Sequence, residues 1–547
     1  MPKTFSSEEK SKKKLPTSFK IGAKKLCAVL KRLKKGIIKP RVINNRIRIL
    51  IDFSIITALG LLIFRNFILT DKWPGGGDVL GLISRVYLYG NDFRWLYVWR
   101  MYSFGFPEGI NSFDFFLLLM YSVFGDPSAT TKAFMFLFFL VAGFSMYAFA
   151  YRYTRKHVAA LSAALVYTLN QWLFSQFTEA HGDIIFSYAL APLLFLILDR
   201  ALISGKLKDT LAFAAFFAVF ITSFHPECIV IYGLFLLTFV AFYIFVPTKL
   251  GSLKVRAKRF LKVFLFAGAI SILLSAFSIL PLLSNLSPPY YSSEYRYYIE
   301  EAESGSFQRI ADAFTLSSIE KWGYGFVLSG PADISLPDFP TTTILAILFL
   351  LAYSTILFRR DRYTYFFAFA AIISIIISMG PHSWFGEIFV WAWFNVPHFA
   401  VFRATSRWIM MAVFSHSLFI SILVSMLIEH LQKKRLLNNE RSVFKRSHEE
   451  IQSPKLRVSL ETLTDFYRSV YNIFHYLGTL LLVLILLIGF ISCFFFFNRG
   501  LQVYSPPRSY LEPYEWLASQ QGNYKVVTVM RSAGEWWETP GAASDFG

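Results

Sequence analysis

Three glycines in a row, Gly75-Gly76-Gly77, deliver a single carboxylate at Asp78. Such a run lets the backbone turn tightly and approach a ligand. A carboxylate held there can take a proton from an attacking hydroxyl or ligate a divalent cation, and a solvated turn ending in Asp is the plain alternative. Asp92, Glu108 and Asp114 follow with weaker versions of the same claim. A second stretch, Glu179-Ala180-His181-Gly182-Asp183, offers three potential ligands at alternate positions. Carboxylates suit Mg²⁺ or Mn²⁺, and the imidazole tilts the set toward Mn²⁺ or a transition metal. Asp183 could equally cap the helix that follows it.

His225 and Glu227 flank Pro226 between two apolar segments. Ionisable groups are costly there, and a functional role is the default reading; a mutual hydrogen bond that merely satisfies the turn is the alternative. Further on, residues 395–408 hold His398, a further cavity candidate, and then Arg403 and Arg407. The two arginines are four apart, so they share one face at the outer end of a helix. Arginine grips phosphate through a planar fork, whereas an arginine pair reaching for lipid headgroups is the ordinary interpretation.

The elements that must position these groups are eleven hydrophobic segments: 49–69, 133–151, 158–174, 184–202, 211–224, 228–245, 260–283, 342–358, 363–379, 408–428 and 473–497. Connections at 152–156, 206–209, 249–259, 359–362 and 429–472 all carry Lys or Arg, which assigns them to the cytoplasm. The candidate groups above all fall on the opposite, outer side. Segment 112–124 is short of the roughly 20 residues a span needs, and a crossing there would turn every later basic loop outward. It is expected as a re-entrant or interfacial helix. Segment 211–224 is also short, so the His225 turn is expected to dip below the membrane surface, where irregular backbone implies a protein-lined or water-filled cavity.

Composition agrees with a polytopic membrane protein: 55% hydrophobic and 18% aromatic residues over 547 positions, with mean hydropathy +0.47. The net charge of +20 is concentrated ahead of the first segment, where residues 1–48 hold sixteen Lys or Arg against Glu8 and Glu9. With few aromatics to stack bases, this basic cytoplasmic tail reads as attracted to anionic lipid rather than to nucleic acid. The outer loops are expected at 70–132 and 286–340, the second with eight acidic residues against three basic ones. After the membrane domain, 49–497, the stretch 498–547 is polar, with a helical pattern at 512–519 and a strand pattern at 524–530. One helix and one strand cannot bury a core, so this outer α/β tail reads as a small cap or the start of a larger domain. Three scattered cysteines, Cys27, Cys228 and Cys493, read as packing residues. No Walker, GxSxG, HExxH or CxxC motif occurs, which leaves nucleotide-driven pumping and ordinary hydrolase chemistry without support.

The order of these patches resembles the GT-C superfamily of integral-membrane glycosyltransferases, and more closely its YfhO-like and archaeal uncharacterised relatives. The likeness rests on Gly75-Gly76-Gly77-Asp78, on AHGDIIFSYALAPLLFLILDRAL at 180–202, on VPHFAVFRATSRW at 396–408, and on YLEPYEWLASQQGNYKVV at 510–527. It implies an all-α, GT-C-like membrane domain that transfers a sugar from a polyprenyl-phosphate donor to a glycan, lipid or protein acceptor outside the plasma membrane. Asp78 would then match the first-loop acid as base or metal ligand, and Glu179, His181 and Asp183 would fall near the second acidic site. Arg403 and Arg407 would anchor phosphate by placement. Many members carry paired acids where this chain has Asp78 alone. A flippase or transporter of lipid-linked saccharide would use the same arginines without Asp78 as a base, and a surface-glycan assembly scaffold would need neither.

Overall fold

The computed structural model describes residues 45–71, 73–74, 99–100, 106–107, 111–179, 181–223, 225–247, 251–284, 299–304, 306–307, 309–316, 339–396, 399–447, 503–504 and 516. Asp78, His398, the expected span at 473–497 and nearly all of both tails lie outside them. By contacts the chain divides into Met1–Asp52, of which 45–52 are described and helical, and Phe53–Gly547.

The protein is an all-α polytopic membrane protein. In chain order come α1 (Asn45–Ile68), α2 (Ser112–Phe124), α3 (Pro127–Thr154), α4 (His157–Thr168), α5 (Gln171–Glu179) and α6 (Gly182–Ser204). Then follow α7 (Leu207–Ile221), α8 (Pro226–Phe245), α9 (Leu253–Ser284), α10 (Ile299–Ser304) and α11 (Ile310–Thr315). The last are α12 (Phe339–Tyr353), α13 (Arg362–Ser378), α14 (Gly386–Asn395) and α15 (Ile409–Ser447). Two antiparallel two-residue ladders pair β1 (Trp73–Pro74) with β4 (Val503–Tyr504) and β2 (Trp99–Arg100) with β3 (Phe106–Pro107). The expected tail elements at 512–519 and 524–530 lie outside the described residues apart from the helical Trp516.

Six described helices can cross a membrane by length and composition, or seven if the bent pair α4–α5 counts as one. Three further expected spans are helices α7, α12 and α13 of 15, 15 and 17 residues. At about 1.5 Å per residue these fall short of a hydrocarbon core of about 30 Å. The bend of 51° between α4 and α5 has a local cause. Asn170 donates to the Tyr167 carbonyl at 2.8 Å and accepts the Leu173 amide at 2.9 Å, ending one helix and capping the next. Tyr167 and Tyr188 then stack at 4.1 Å, each hydroxyl bonded to the other's carbonyl, and tie α4 to α6.

The core centres on α15, whose membrane window is 78% buried, against 22% for α9. So α15 is the inner helix, and α9 turns Phe264, Leu265, Ile272 and Leu273 outward to where lipid would lie. Ala159, Ala160, Ala163 and Ala164 of α4 are fully buried, and α4 packs on α3 and α15. Small side chains let these backbones approach where no hydrophobic drive between helices exists. Phe414 of α15 meets Phe149, Phe195 and Phe367 edge-on or tilted, with ring centroids 4.9–5.4 Å away. Hydroxyls at Ser415 and Ser417 bond carbonyls one turn back, which satisfies these two polar groups on the buried helix.

Basic connections gather at one end of the bundle. At that end Arg362 binds Asp199 at 3.0 Å, Arg359 lies over the Tyr153 ring, and Tyr153 donates to Asp361. The short helix α2 stays at the other end. Its Ser112 amide and hydroxyl bond the Thr222 and Val219 carbonyls at the close of α7. Its far end leads through Gly125 to Asp126, the N-cap of α3.

Candidate functional site

Opposite the basic end, three of the expected residues meet. Glu227 lies in the first turn of α8, behind Pro226, where a helix N-terminus favours a carboxylate. Arg407 lies in a 3₁₀ turn, Thr405–Trp408, that leads into α15. Its Nη1 donates to Glu227 Oε2 at 2.8 Å and to His225 Nε2 at 3.0 Å. A guanidinium has no acceptor, so Nε2 accepts and the ring proton sits on Nδ1. That Nδ1 is buried without a hydrogen-bond partner among the described residues. Burial first, then the charges of Arg407, His181 and Arg403, hold His225 well below the ordinary imidazole value. The ring is neutral, and its Nδ1–H is a donor shielded from solvent.

The loops that present these groups are fixed by hydroxyls. Ser223, just ahead of His225, exchanges a 2.9 Å hydrogen bond with Ser187 of α6. Thr405, two residues before Arg407, donates to the Ser378 carbonyl at 3.2 Å and shares a hydrogen bond with Ser306. Gly380 makes this approach possible. Its φ is +45°, and a Cβ there would lie 2.6 Å from Ser306 Oγ and 2.8 Å from Thr405 Oγ1.

His181 enters through Gln176, whose side-chain oxygen meets Nδ1 at 2.8 Å while its carbonyl takes the His181 amide at 3.0 Å. The bond fixes the ring orientation, with Nε2 as the atom suited to a ligand. Asp183 Oδ1 accepts the Ile184 amide at 2.8 Å, which satisfies one of the amides that open α6. No group of three His, Cys, Asp or Glu side chains converges among the described residues. The side chain of Glu179 lies outside them, as do Asp78 and His398. Asp114 has a structural explanation: it accepts from Asn111 Nδ2 at 2.7 Å while Asn111 Oδ1 caps its amide at 2.6 Å.

One expectation of local geometry is corrected. Arg403 and Arg407 do not share a helical face, because two separate 3₁₀ turns, Phe399–Phe402 and Thr405–Trp408, flank Arg403 and Ala404. Ala404 leaves helical geometry at φ −100°, ψ 67°, which breaks the four-residue register. The partnership of Arg407 with Glu227 was not anticipated either. Opposite charges on the same side of the membrane are a hint, but which loops meet depends on helix packing. Gln176, Ser223, Ser306 and Thr405 carry no such signal.

The family described as 6-pyruvoyl-tetrahydropterin synthase related domain, membrane protein, matches residues 111–326, less than half of the chain. No curated protein matches the sequence. Among solved structures the chain is similar to the arabinofuranosyltransferase AftD from Mycobacteria, a single-particle cryo-EM structure. The identity is 11% and the TM-score 0.47, over 85% of this chain and 28% of that chain. The match thus takes in little more than a quarter of that protein's length. The family range holds His181, Asp183, His225 and Glu227, while Arg403 and Arg407 lie beyond it.

Proposed function

We propose that the protein is a membrane glycosyltransferase that moves a sugar from a polyprenyl-phosphate donor to a glycan, lipid or protein acceptor at the extracytoplasmic face of the plasma membrane. The observation that carries this reading is the buried cluster of Arg407, Glu227 and His225 at the end away from the basic connections. A lipid donor needs a groove in the membrane, cations at the interface for its phosphate, and a polar recess for its sugar. Arg403 and Arg407 supply the cations, and the His225 Nδ1–H is a donor for a phosphate or sugar oxygen. Glu227 keeps the Arg407 guanidinium oriented. The acceptor oxygen attacks the anomeric carbon as the bond from that carbon to the phosphate oxygen breaks. The electron pair leaves on phosphate, and Asp78 takes the hydroxyl proton. Mg²⁺ or Mn²⁺ held by Glu179, His181 and Asp183 would neutralise charge on the leaving phosphate.

Asp78→Asn tests the reading, because it removes the base while keeping size and most hydrogen bonding. Transfer should fall by at least about a hundredfold with donor binding retained, read by mass spectrometry of lipid-linked intermediates and surface glycans. Full transfer in this variant would remove the catalytic role. A flippase of lipid-linked saccharide is the second reading, favoured by the broken helix pair at Asn170, since broken helices line transporter sites. It predicts that Asp78→Asn leaves lipid-linked sugar movement unchanged.

A further inference from the structure

At the basic end, the last turns of α3 and α6 and the start of α7 surround a groove of about 500 Å³. Arg152, Arg155, Arg200, Lys206 and Lys208 line it, against Asp209 as the one acid on the wall. Asp209 is already engaged, by Arg200 Nε at 2.8 Å and by the Ser204 hydroxyl at 2.6 Å. Two left-handed chain reversals bring the cations together: Arg155 ends α3 at φ 58°, and Gly205 ends α6 at φ 62°. Positive residues that only set orientation can be dispersed along a loop. Here five share one concavity, which focuses their field on whatever enters it. The rest of the wall is largely apolar, with Ala148, Leu196 and Ile203 from the helix bodies.

We propose that this groove seats the phosphate headgroup of an anionic phospholipid from the leaflet at the basic end. Arginine forks match phosphate oxygens, and basic pockets between membrane helices suit anionic headgroups. The apolar part of the wall, Ala148, Leu196 and Ile203, favours a lipid over free phosphate. The site is at the opposite end from Arg407 and stands independently of the glycosyltransferase reading.

The full chain would be reconstituted in nanodiscs of phosphatidylcholine with increasing phosphatidylglycerol, and bound lipid counted by native mass spectrometry after release. One tightly held phosphatidylglycerol is expected. The triple Arg152→Gln, Arg155→Gln, Lys206→Gln variant should weaken it by roughly fivefold per cation, on the order of a hundredfold in all. Lys254→Gln, Lys258→Gln and Arg360→Gln, three exposed cations at the same end, should leave it in place. Should the groove triple fail to fold, Arg155→Gln alone, at an exposed loop position, should still give the fivefold loss. Equal loss from both triples, retention in the groove variants, or equally tight uptake of inorganic phosphate in pure phosphatidylcholine discs would overturn the proposal.

Discussion

Arg407 and Glu227 are 180 residues apart in the chain and meet at 2.8 Å, with side chains 8% and 0% exposed. Removing one partner of such a pair strands a buried charge, at about 3–5 kcal/mol. Arg407→Ala and Glu227→Gln should therefore each lower the thermal midpoint in detergent. Arg407→Met with Glu227→Leu should recover most of the loss, because neither charge is then left alone. Simple addition of the two single effects would contradict a mutual pair.

Donor binding separates a phosphate anchor from a purely structural pair. Losing a charged hydrogen-bond partner should cost about 1.5–3 kcal/mol in affinity for polyprenyl-phosphate substrates. Arg407→Lys should restore only part of this, since an ammonium lacks the planar fork. Unchanged affinity in the Arg403→Ala, Arg407→Ala double variant would end the phosphate role.

His225 sets a pH dependence of definite sign. Its folded value is pushed below the ordinary 6.5 by burial and by Arg407. In the window below 6.5 the unfolded chain binds the proton that the folded chain refuses, so stability falls as pH drops through it. Above 6.5 the contribution is complete. His225→Gln keeps an acceptor for Arg407 and removes the titration, so its unfolding midpoint should change less with acidification than that of the wild type. Parallel pH curves for the two proteins would refute this.

A second buried pair should behave as structure alone. Asp199 and Arg362 meet at 3.0 Å with side chains 4% and 6% exposed, and Tyr363 also donates to Asp199. Asp199→Asn should destabilise by about 3–5 kcal/mol. Transfer per folded molecule should hold steady, because the pair is at the basic end, away from Arg407.

Orientation can be read with single cysteines in a background free of native ones. Trp384→Cys, at a position 80% exposed on the Arg407 side, should label on intact cells. Lys208→Cys at the basic groove should label only after permeabilisation. The reverse result would turn the active face into the cytoplasm.

Long apolar runs made most of the bundle legible in the sequence, because a bilayer imposes length and the chain can only comply. Their ends were less legible. α3 starts at Pro127 rather than 133, since Asp126 caps it through the Ala129 amide at 2.6 Å, and α1 starts at Asn45 rather than 49. The members of the cluster were legible one by one: His225 and Glu227 stood out as ionisable groups between apolar segments, and Arg407 as a basic residue on an otherwise non-basic face. Their pairing was not, because which loop faces which depends on helix packing. The 3₁₀ turns around Arg403 were hidden for a different reason. A run such as FRATSRW has helical spacing, and only the hydroxyl contacts of Thr405 with Ser306 and Ser378 tighten it.

The ladder between Trp73–Pro74 and Val503–Tyr504 sets a timetable. The ribosome delivers the first of these strands more than 400 residues before the second, an interval of roughly 20–90 seconds at about 5–20 residues per second. Throughout that interval β1, which leads within four residues to Asp78, has no β4 to pair with. The strand that leads into the loop proposed to hold the base therefore gains this partner only when synthesis has passed nearly every described helix. A ribosome stalled before Val503 would leave a chain without that ladder.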